Sequence, residues 1–226
     1  MASFVPGTDR AQDATIERIA AFDVDGTITR RDCVVPFVRR VRGVPRLGLR
    51  LLRHPIGLGR AVIGRDRDAL KAAGAMAAFE GEFVDRIESA GVVFARDAVR
   101  SNLRDDVVAT LNAHLAGGDT VVLVSASFEV YLRPLAAHLG VEHVLGTRLE
   151  DDADGRYTGR LDGPNCRGPE KVRRLHDWLD AHAGGRQGVH LTAYGDSSGD
   201  RELLIDADVA RWVGKREMPS TWMAAK

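Results

Sequence analysis

Short apolar runs and longer amphipathic stretches alternate along the second half of the chain, and one further apolar run lies near its start. Short runs rich in β-branched residues predict strands, and longer stretches with helical periodicity predict helices. The predicted strands are residues 19–22, 120–124, 143–149, 190–194 and 208–213. The predicted helices are residues 103–115, 128–139, 170–182 and 200–205. Asp154-Gly155 predicts a hairpin turn after the third strand. This alternation predicts an α/β fold with a doubly wound parallel sheet, a Rossmann-like core.

The segment between the first two predicted strands has no convincing strand pattern and reads as several short helices. The breakers that separate these helices are Gly43, Pro45, Pro55, Gly64 and Gly81. We therefore predict that residues 33–102 form a helical cap inserted into an α/β core of residues 18–32 and 103–226. Residues 1–17 are small and polar around Pro6-Gly7 and predict a flexible lead-in.

Composition excludes several classes of protein. The 226 residues contain 32 Lys and Arg against 32 Asp and Glu, so bulk charge gives no argument for nucleic-acid binding. No apolar run approaches the roughly 18 residues that span a bilayer, and the N-terminus lacks the apolar region of a secretory signal. Two cysteines without metal-ligand spacing, Cys33 and Cys166, favour a reducing compartment. We expect a cytoplasmic protein.

Polar residues of a chemically useful kind follow three of the predicted strands. Asp23 and Asp25 end the first strand, and residues two apart on an extended chain point the same way. Ser125 ends the second, and an aspartate-rich turn from Asp196 to Asp200 follows the fourth. Ligands bind in open α/β sheets at the carboxyl ends of the strands. Together with Lys171, at the start of a predicted helix, these residues predict one site, although the turn aspartates could instead cap helices.

The order of these groups resembles a known family. Asp23-Val-Asp25-Gly-Thr27, Ser125, Lys171 and Gly195-Asp196-Ser-Ser-Gly-Asp200 resemble the four ordered motifs of the haloacid dehalogenase superfamily. The long insertion between the first two motifs resembles subfamily IB, the branch that contains phosphoserine phosphatase. One such motif alone is a weak signal, whereas all four in order over residues 19–213 are a specific one.

The resemblance implies a phosphatase that uses Mg²⁺ and an aspartyl-phosphate intermediate. Asp23 is implied to be the nucleophile, and Asp25 the acid that protonates the leaving oxygen and the base that activates water. The implied Mg²⁺ ligands are Asp23, the backbone carbonyl of Asp25, and Asp196.

The remaining motif residues are implied to handle the phosphoryl group. Ser125 and the Ala126 N–H would bind phosphoryl oxygens, and Lys171 would balance their charge. Thr27 would orient the phosphoryl group, and Asp200 would orient Lys171 or a metal-bound water. The implied partner is a small phosphorylated metabolite.

The choice of substrate stays open. Asp32 lies where phosphoserine phosphatases have a glutamate that reads the substrate amino group, but it could equally be the N-cap of the next helix. Gly199 and Ala126 stand where those enzymes typically have Asn and Gly. A phosphotransferase or phosphomutase on the same scaffold is the alternative enzyme, although Asp25 argues for water as the acceptor.

Residues 39–67 hold nine arginines interleaved with leucines and only one acid, Asp66. The simpler interpretation is a cap helix with a solvated basic face. The alternative is peripheral contact with an anionic membrane, which basic amphipathic stretches favour. A binding protein whose cap engages a lipid or a partner is the corresponding non-enzymatic hypothesis.

Overall fold

The computed structural model describes residues 16–43, 74–215 and 217–223, and within them six strands form one sheet. The strands are β1 (Glu17–Phe22), β2 (Thr120–Phe128), β3 (His143–Asp151), β4 (Tyr157–Asp162), β5 (Val189–Gly195) and β6 (Val209–Trp212). Their spatial order is β4-β3-β2-β1-β5-β6. Every pair is parallel except β3 with β4, which form the predicted hairpin. The predicted α/β fold class is confirmed, with one antiparallel strand at the edge.

Seven helices are numbered here in chain order. They are α1 (Val34–Arg42), α2 (Val84–Ser101), α3 (Asp105–Ala116), α4 (Glu129–His138), α5 (Pro169–His182), α6 (Arg201–Asp206) and α7 (Ser220–Met223). Residues 74–79 are also helical. No helix among the described residues is both long enough and apolar enough to cross a membrane.

The central strand β1 is buried on both faces, as expected for a parallel strand between two layers of helices. Ala20 and Phe22 point into one core layer, which also contains Leu111 of α3 and Leu132 of α4. Ile19 and Ala21 point into the other layer with Leu175 of α5 and Leu203 of α6. Alternation along the strand thus divides the core into two layers and leaves the strand ends for the site.

The strand β2 is longer than the sequence pattern indicates. The apolar run ends at Val124, but the strand continues to Phe128. Its register against β3 is irregular there, because Val124 pairs with Leu145 and Phe128 with Thr147. A step of four residues along β2 therefore corresponds to a step of only two residues along β3, which is the geometry of a bulge. Bulges re-aim side chains, and this one contains Ser125, Ala126 and Ser127.

The described parts of the predicted cap segment are mainly helical, apart from a turn at residues 80–81 and a single β-bridge from Phe83 to Arg156. The boundaries of cap and core stay a prediction. The longest helix among its described residues, α2, has 18 residues, whereas several short helices were predicted. Gly91 lies inside α2 without ending the helix, at the point where α2 contacts α4. The lead-in residues 1–15 and most of the arginine-rich segment, residues 44–67, lie outside the described residues.

Substitution Gly91→Ala is expected to lower the free energy of unfolding by roughly 2–3 kcal/mol, the cost of overpacking a tight contact. A Cβ at Gly91 would lie 2.1 Å from the Val130 carbonyl oxygen, and that oxygen belongs to the backbone and cannot turn aside. The gain in helix propensity, about 1 kcal/mol, is too small to compensate. Urea denaturation measures the change.

Ser89→Ala is the control, because Ser89 is an exposed position on the same helix. It should change the free energy of unfolding by no more than about 0.5 kcal/mol. Equal stability of the Gly91→Ala variant and the parent would show that α2 and α4 are not in the close contact described.

Candidate active site

The carboxyl ends of β1, β2 and β5 meet the first turn of α5 at a cavity of about 690 Å³. The predicted site residues that line it are Asp23, Asp25, Asp32, Ser125, Ala126, Lys171, Asp196 and Asp200. Thr27 does not line the cavity and is fully buried beside it. The four sequence motifs are therefore brought together at one edge of the sheet, as expected for parallel strands.

A buried lysine joins two of the carboxylates. The Lys171 ammonium donates to Asp23 Oδ1 and to Asp200 Oδ1, both at 2.6 Å. The three residues are 1%, 5% and 1% exposed, so water does little to screen their charges. The first-turn position of Lys171 on α5 follows from Gly168, whose φ of +59° turns the chain into the helix.

The protonation equilibria of this group are perturbed by burial. Burial, and after it the charge of Asp200, raise the pKa of Asp23 to about 8 against the opposing effect of Lys171. Burial by itself lowers the pKa of Lys171, but Asp200 and Asp23 outweigh it and raise that pKa above its ordinary value. Lys171 thus stays cationic, and the protein by itself stabilises the charged form of Asp23 poorly.

Asp200 organises the loop that follows β5. Its Oδ2 accepts hydrogen bonds from the Ser197 N–H at 3.0 Å and the Ser197 hydroxyl at 2.9 Å. The Asp196 N–H donates to the same oxygen at 3.3 Å. Since Oδ1 is bound to Lys171, both oxygens of Asp200 are engaged, and the carboxylate holds Lys171 and the loop in one arrangement.

Asp196 presents an oxygen that the described residues do not satisfy. Its Oδ1 is buried and has no hydrogen-bond partner there. Burial and the charge of Asp200 raise the pKa of Asp196, and the nearby Thr27 hydroxyl opposes this rise. That hydroxyl forms no regular hydrogen bond with the described residues. Asp196 also explains why residue 26 is a glycine, because a Cβ at that position would lie 2.2 Å from Asp196 Oδ2.

These carboxylates fit a divalent cation. Oxygens of Asp23, Asp196 and Asp200 lie within 4.8 Å of one another. Both carboxylate oxygens of Asp200 already accept hydrogen bonds. Asp23 Oδ2 and Asp196 Oδ1, in contrast, accept no hydrogen bond from the described residues. A cluster of unpaired carboxylate oxygens is the donor set that Mg²⁺ prefers, and a buried oxygen without a partner is otherwise costly.

Asp25 is held from two sides. Its Oδ1 accepts from the Cys33 N–H at 3.0 Å, and its Oδ2 accepts from the Ser127 hydroxyl at 2.5 Å. Burial raises the pKa of Asp25 to about 6, with a further contribution from Asp32. The Ser127 N–H donates to Ser125 Oγ at 3.1 Å, which leaves the Ser125 hydroxyl hydrogen available for a ligand.

Asp32 both supports the start of α1 and lines the cavity, and a role in reading the substrate stays a prediction. Its Oδ2 accepts from the Val35 N–H at 3.1 Å, so the side chain caps the start of α1. The residue is nevertheless exposed and lines the cavity. Capping occupies one carboxylate oxygen, and the negative charge still faces the place where a ligand would lie.

Two residues of the site were missed by sequence reasoning. Ser127 has no predicted role, because its bond to Asp25 joins positions 102 residues apart. Arg167 lines the cavity and donates to Ser198 Oγ at 3.2 Å. A Cβ at Gly199 would lie 3.1 Å from Arg167 Nε, so Arg167 takes the space that a larger residue 199 would need. Within the described ranges no carboxylate lies within 4.0 Å of Arg167.

The fold and the cluster define an α/β enzyme whose lysine-bridged carboxylates lie at the carboxyl edge of a parallel sheet. The family model for haloacid dehalogenase-like hydrolases matches residues 20–204, and the chain belongs to this family. The resemblance stated from the four motifs and the predicted class of enzyme are therefore confirmed.

Individual relatives agree with this assignment. The chain is 40% identical to protein CicA of Caulobacter vibrioides over 191 residues, which cover 84% of the chain and 83% of CicA. It is 28% identical to phosphoserine phosphatase SerB1 of Mycobacterium tuberculosis over 209 residues, covering 88% and 65% of the two proteins. A solved structure of a Bordetella pertussis protein of unknown function has a TM-score of 0.72 at 27% identity, covering 93% and 95% of the two chains.

Proposed function

We propose that the chain is a Mg²⁺-dependent phosphomonoester hydrolase that acts through an aspartyl-phosphate on a small phosphorylated metabolite. The observation that carries this proposal is the buried Asp23 carboxylate, which faces the cavity and is bonded to Lys171 on one oxygen only. A carboxylate so placed can attack an electrophile, and the neighbouring cation offsets the negative charge that a phosphate brings.

Mg²⁺ would be held by Asp23, Asp196 and the backbone carbonyl of Asp25. When bound, it neutralises charge on the phosphoryl oxygens and on the carboxylates around them. The unpaired Asp196 Oδ1 supports this ligand set. Asp200, whose two oxygens are engaged, acts through Lys171 and the loop instead.

In the first step Asp23 forms a bond to phosphorus as the bond from phosphorus to the leaving oxygen breaks. Asp25 gives its proton to that oxygen. The Ser125 hydroxyl, the Ala126 N–H and Lys171 stabilise the phosphoryl oxygens during transfer. Ser125 suits this role because its oxygen already accepts from Ser127 and its hydrogen is free.

In the second step Asp25, now a carboxylate, takes a proton from water as the water oxygen bonds to phosphorus. The bond between phosphorus and Asp23 breaks, and the product is inorganic phosphate. The pKa of about 6 that burial gives Asp25 suits a group that must donate a proton and then take one near neutral pH.

The substrate is proposed only as a class. One relative is named a phosphoserine phosphatase, which supports a phosphomonoester of a small metabolite. Asp32 at the cavity favours a leaving group with a positive charge, whereas Arg167 at the same cavity favours a negative one. The cytoplasmic location also stays a proposal, consistent with two free thiols.

Release of inorganic phosphate with Mg²⁺ tests the function. We expect turnover of p-nitrophenyl phosphate and of at least one member of a panel that includes phosphoserine, phosphoethanolamine and phosphocholine. EDTA should abolish it. If phosphate appears on an added alcohol rather than in solution, the protein is a phosphotransferase. A folded, Mg²⁺-loaded protein without turnover on any of these would contradict the proposal.

Substitution Asp25→Asn is expected to separate the two steps. With p-nitrophenyl phosphate we expect a burst of about one equivalent of p-nitrophenolate, because this anion leaves without protonation. Subsequent turnover should be slower by about 10²–10⁴-fold, since the attacking water has lost its base. Stopped-flow absorbance measures both phases.

The matched control is Asp97→Asn, which removes a carboxylate from a surface ion pair with Arg40. Steady-state turnover should be unchanged in that variant. Parental turnover in Asp25→Asn would exclude Asp25 as the acid and base.

A further inference from the structure

A chain of hydrogen bonds runs from the interior of the protein to Asp25. The Tyr131 hydroxyl donates to Ser127 Oγ at 2.7 Å, and Ser127 Oγ donates to Asp25 Oδ2 at 2.5 Å. A serine hydroxyl has one hydrogen, so accepting from Tyr131 commits that hydrogen to Asp25. Ser127 and Tyr131 are 0% and 1% exposed, so water cannot replace either partner.

The chain has a rigid anchor. Tyr131 lies in the first turn of α4, four residues after Ser127 of β2, and its ring packs against Phe37 of α1 and Phe94 of α2. The ring centroids are 4.8 Å and 5.2 Å from that of Tyr131. Aromatic packing on two helices fixes the direction of the phenolic hydroxyl, and through Ser127 it fixes the carboxylate.

The opposite oxygen of Asp25 is held as well. Oδ1 accepts from the Cys33 N–H at 3.0 Å, so the protein holds both carboxylate oxygens while the residue lines the cavity. The carboxylate can therefore rotate only by breaking a short hydrogen bond to a hydroxyl. Ser127 also holds Ser125 through its N–H, so one residue orients both an acid/base candidate and a phosphate-binding candidate.

We propose that Ser127 and Tyr131 are positioning residues that hold the Asp25 carboxylate in the orientation that transfers protons to the leaving oxygen and from the attacking water. The inference rests on the proposed function and deepens it. Neither residue touches the substrate, and neither exchanges its own proton with it. Their effect comes through orientation, and a misplacement of about 1 Å at a reacting group can cost roughly 10²-fold in rate.

Two phosphate esters of similar shape distinguish a loss of Asp25 orientation from a general loss of active-site structure. p-Nitrophenyl phosphate has a leaving group that needs little protonation, and phenyl phosphate has one that needs the acid. We measure the rate of phosphoenzyme formation in single turnovers by acid quench with Mg²⁺. In Ser127→Ala the rate with phenyl phosphate should fall by about 10–100-fold, and with p-nitrophenyl phosphate by less than about threefold.

Tyr131→Phe keeps the ring and its packing and removes only the donor to Ser127. We expect the phenyl to p-nitrophenyl rate ratio to fall by about fivefold, the equivalent of one ordinary hydrogen bond. The control is Tyr157→Phe, because Tyr157 is another buried tyrosine but lies on β4 against Phe79. Its rate ratio should equal that of the parent.

A purely structural role would lower the rates with both esters together. An unchanged rate ratio in both Ser127→Ala and Tyr131→Phe would overturn the inference. Failure of the proposed function looks different, because the parent protein would then form no phosphoenzyme from either ester.

Discussion

Substitution Asp23→Asn is expected to abolish phosphate release, with a loss of about 10⁴-fold or more, the scale seen when a catalytic nucleophile is removed. An amide oxygen carries no charge to attack phosphorus. Of the neighbouring described carboxylates, Asp200 has both oxygens engaged, Asp25 is held by Ser127 and Cys33, and Asp196 is proposed to bind Mg²⁺. Phosphate release and acid-quenched phosphoenzyme should both fall to background.

The stability of the Asp23→Asn variant is the control, because it shows whether the loss of activity comes from unfolding. The pKa of Asp23 is raised from 3.8 to about 8, so the folded state binds this proton more tightly than the unfolded state. Stability therefore falls as pH rises through that window, and at pH 8 the carboxylate charge is a destabilising feature. Without Mg²⁺ the variant should unfold at the same urea concentration as the parent or at a higher one. Residual turnover above about 1% of the parent, in a preparation free of deamidated protein, would exclude Asp23 as the nucleophile.

The position of the site could be predicted from the sequence because parallel strands all end at one edge. Asp23, Ser125 and Asp196 each follow an apolar run, and the topology rather than any local feature brings them together. Lys171 lies at the start of α5, which the Gly168-Pro169 pair marks in the sequence. The resemblance to a known family then supplied roles that no pattern of apolar residues contains.

What could not be predicted depends on contacts between distant residues. The bond between Ser127 and Asp25 requires β2 to continue past its apolar run and to bulge, and neither event leaves a local signal. Arg167 and Gly199 are 32 positions apart, and only the folded loops show that one takes the space beside the other. The 18-residue length of α2 could not be predicted, because only the folded chain shows that Gly91 lies against the Val130 backbone and lets two helices touch.

Substitution Lys171→Met is expected to destabilise the protein by about 3–5 kcal/mol, the cost of removing one partner from a buried ionic group. Methionine fills a similar volume, so the effect reports charge rather than a cavity. Two carboxylates, Asp23 and Asp200, are left buried without the cation that both contact. Urea denaturation in EDTA measures the loss, and phosphate release with Mg²⁺ should also fall because the phosphoryl oxygens lose a positive neighbour.

The pH dependence of this variant has a definite sign. Without Lys171 the pKa of Asp23 should rise further, because the cation is one of the influences that lower it. The folded state then binds a proton that the unfolded state releases above its ordinary pKa, so stability must fall as pH rises from 5 to 8. We expect this fall to follow that of the parent at lower pH and to continue to a higher pH, because Asp23 keeps its proton for longer.

Two further variants isolate the charge. Arg173→Met removes a long cationic side chain from the same helix, but Arg173 is exposed and pairs with Glu170 and Asp177 at the surface, so it should cost no more than about 1 kcal/mol. Adding Asp23→Asn to Lys171→Met removes one of the two stranded charges, so it should raise the stability of Lys171→Met by more than Asp23→Asn raises the stability of the parent. If the double variant is as unstable as the sum of the single changes, the two residues are not coupled and the buried bond between them does not hold the site together.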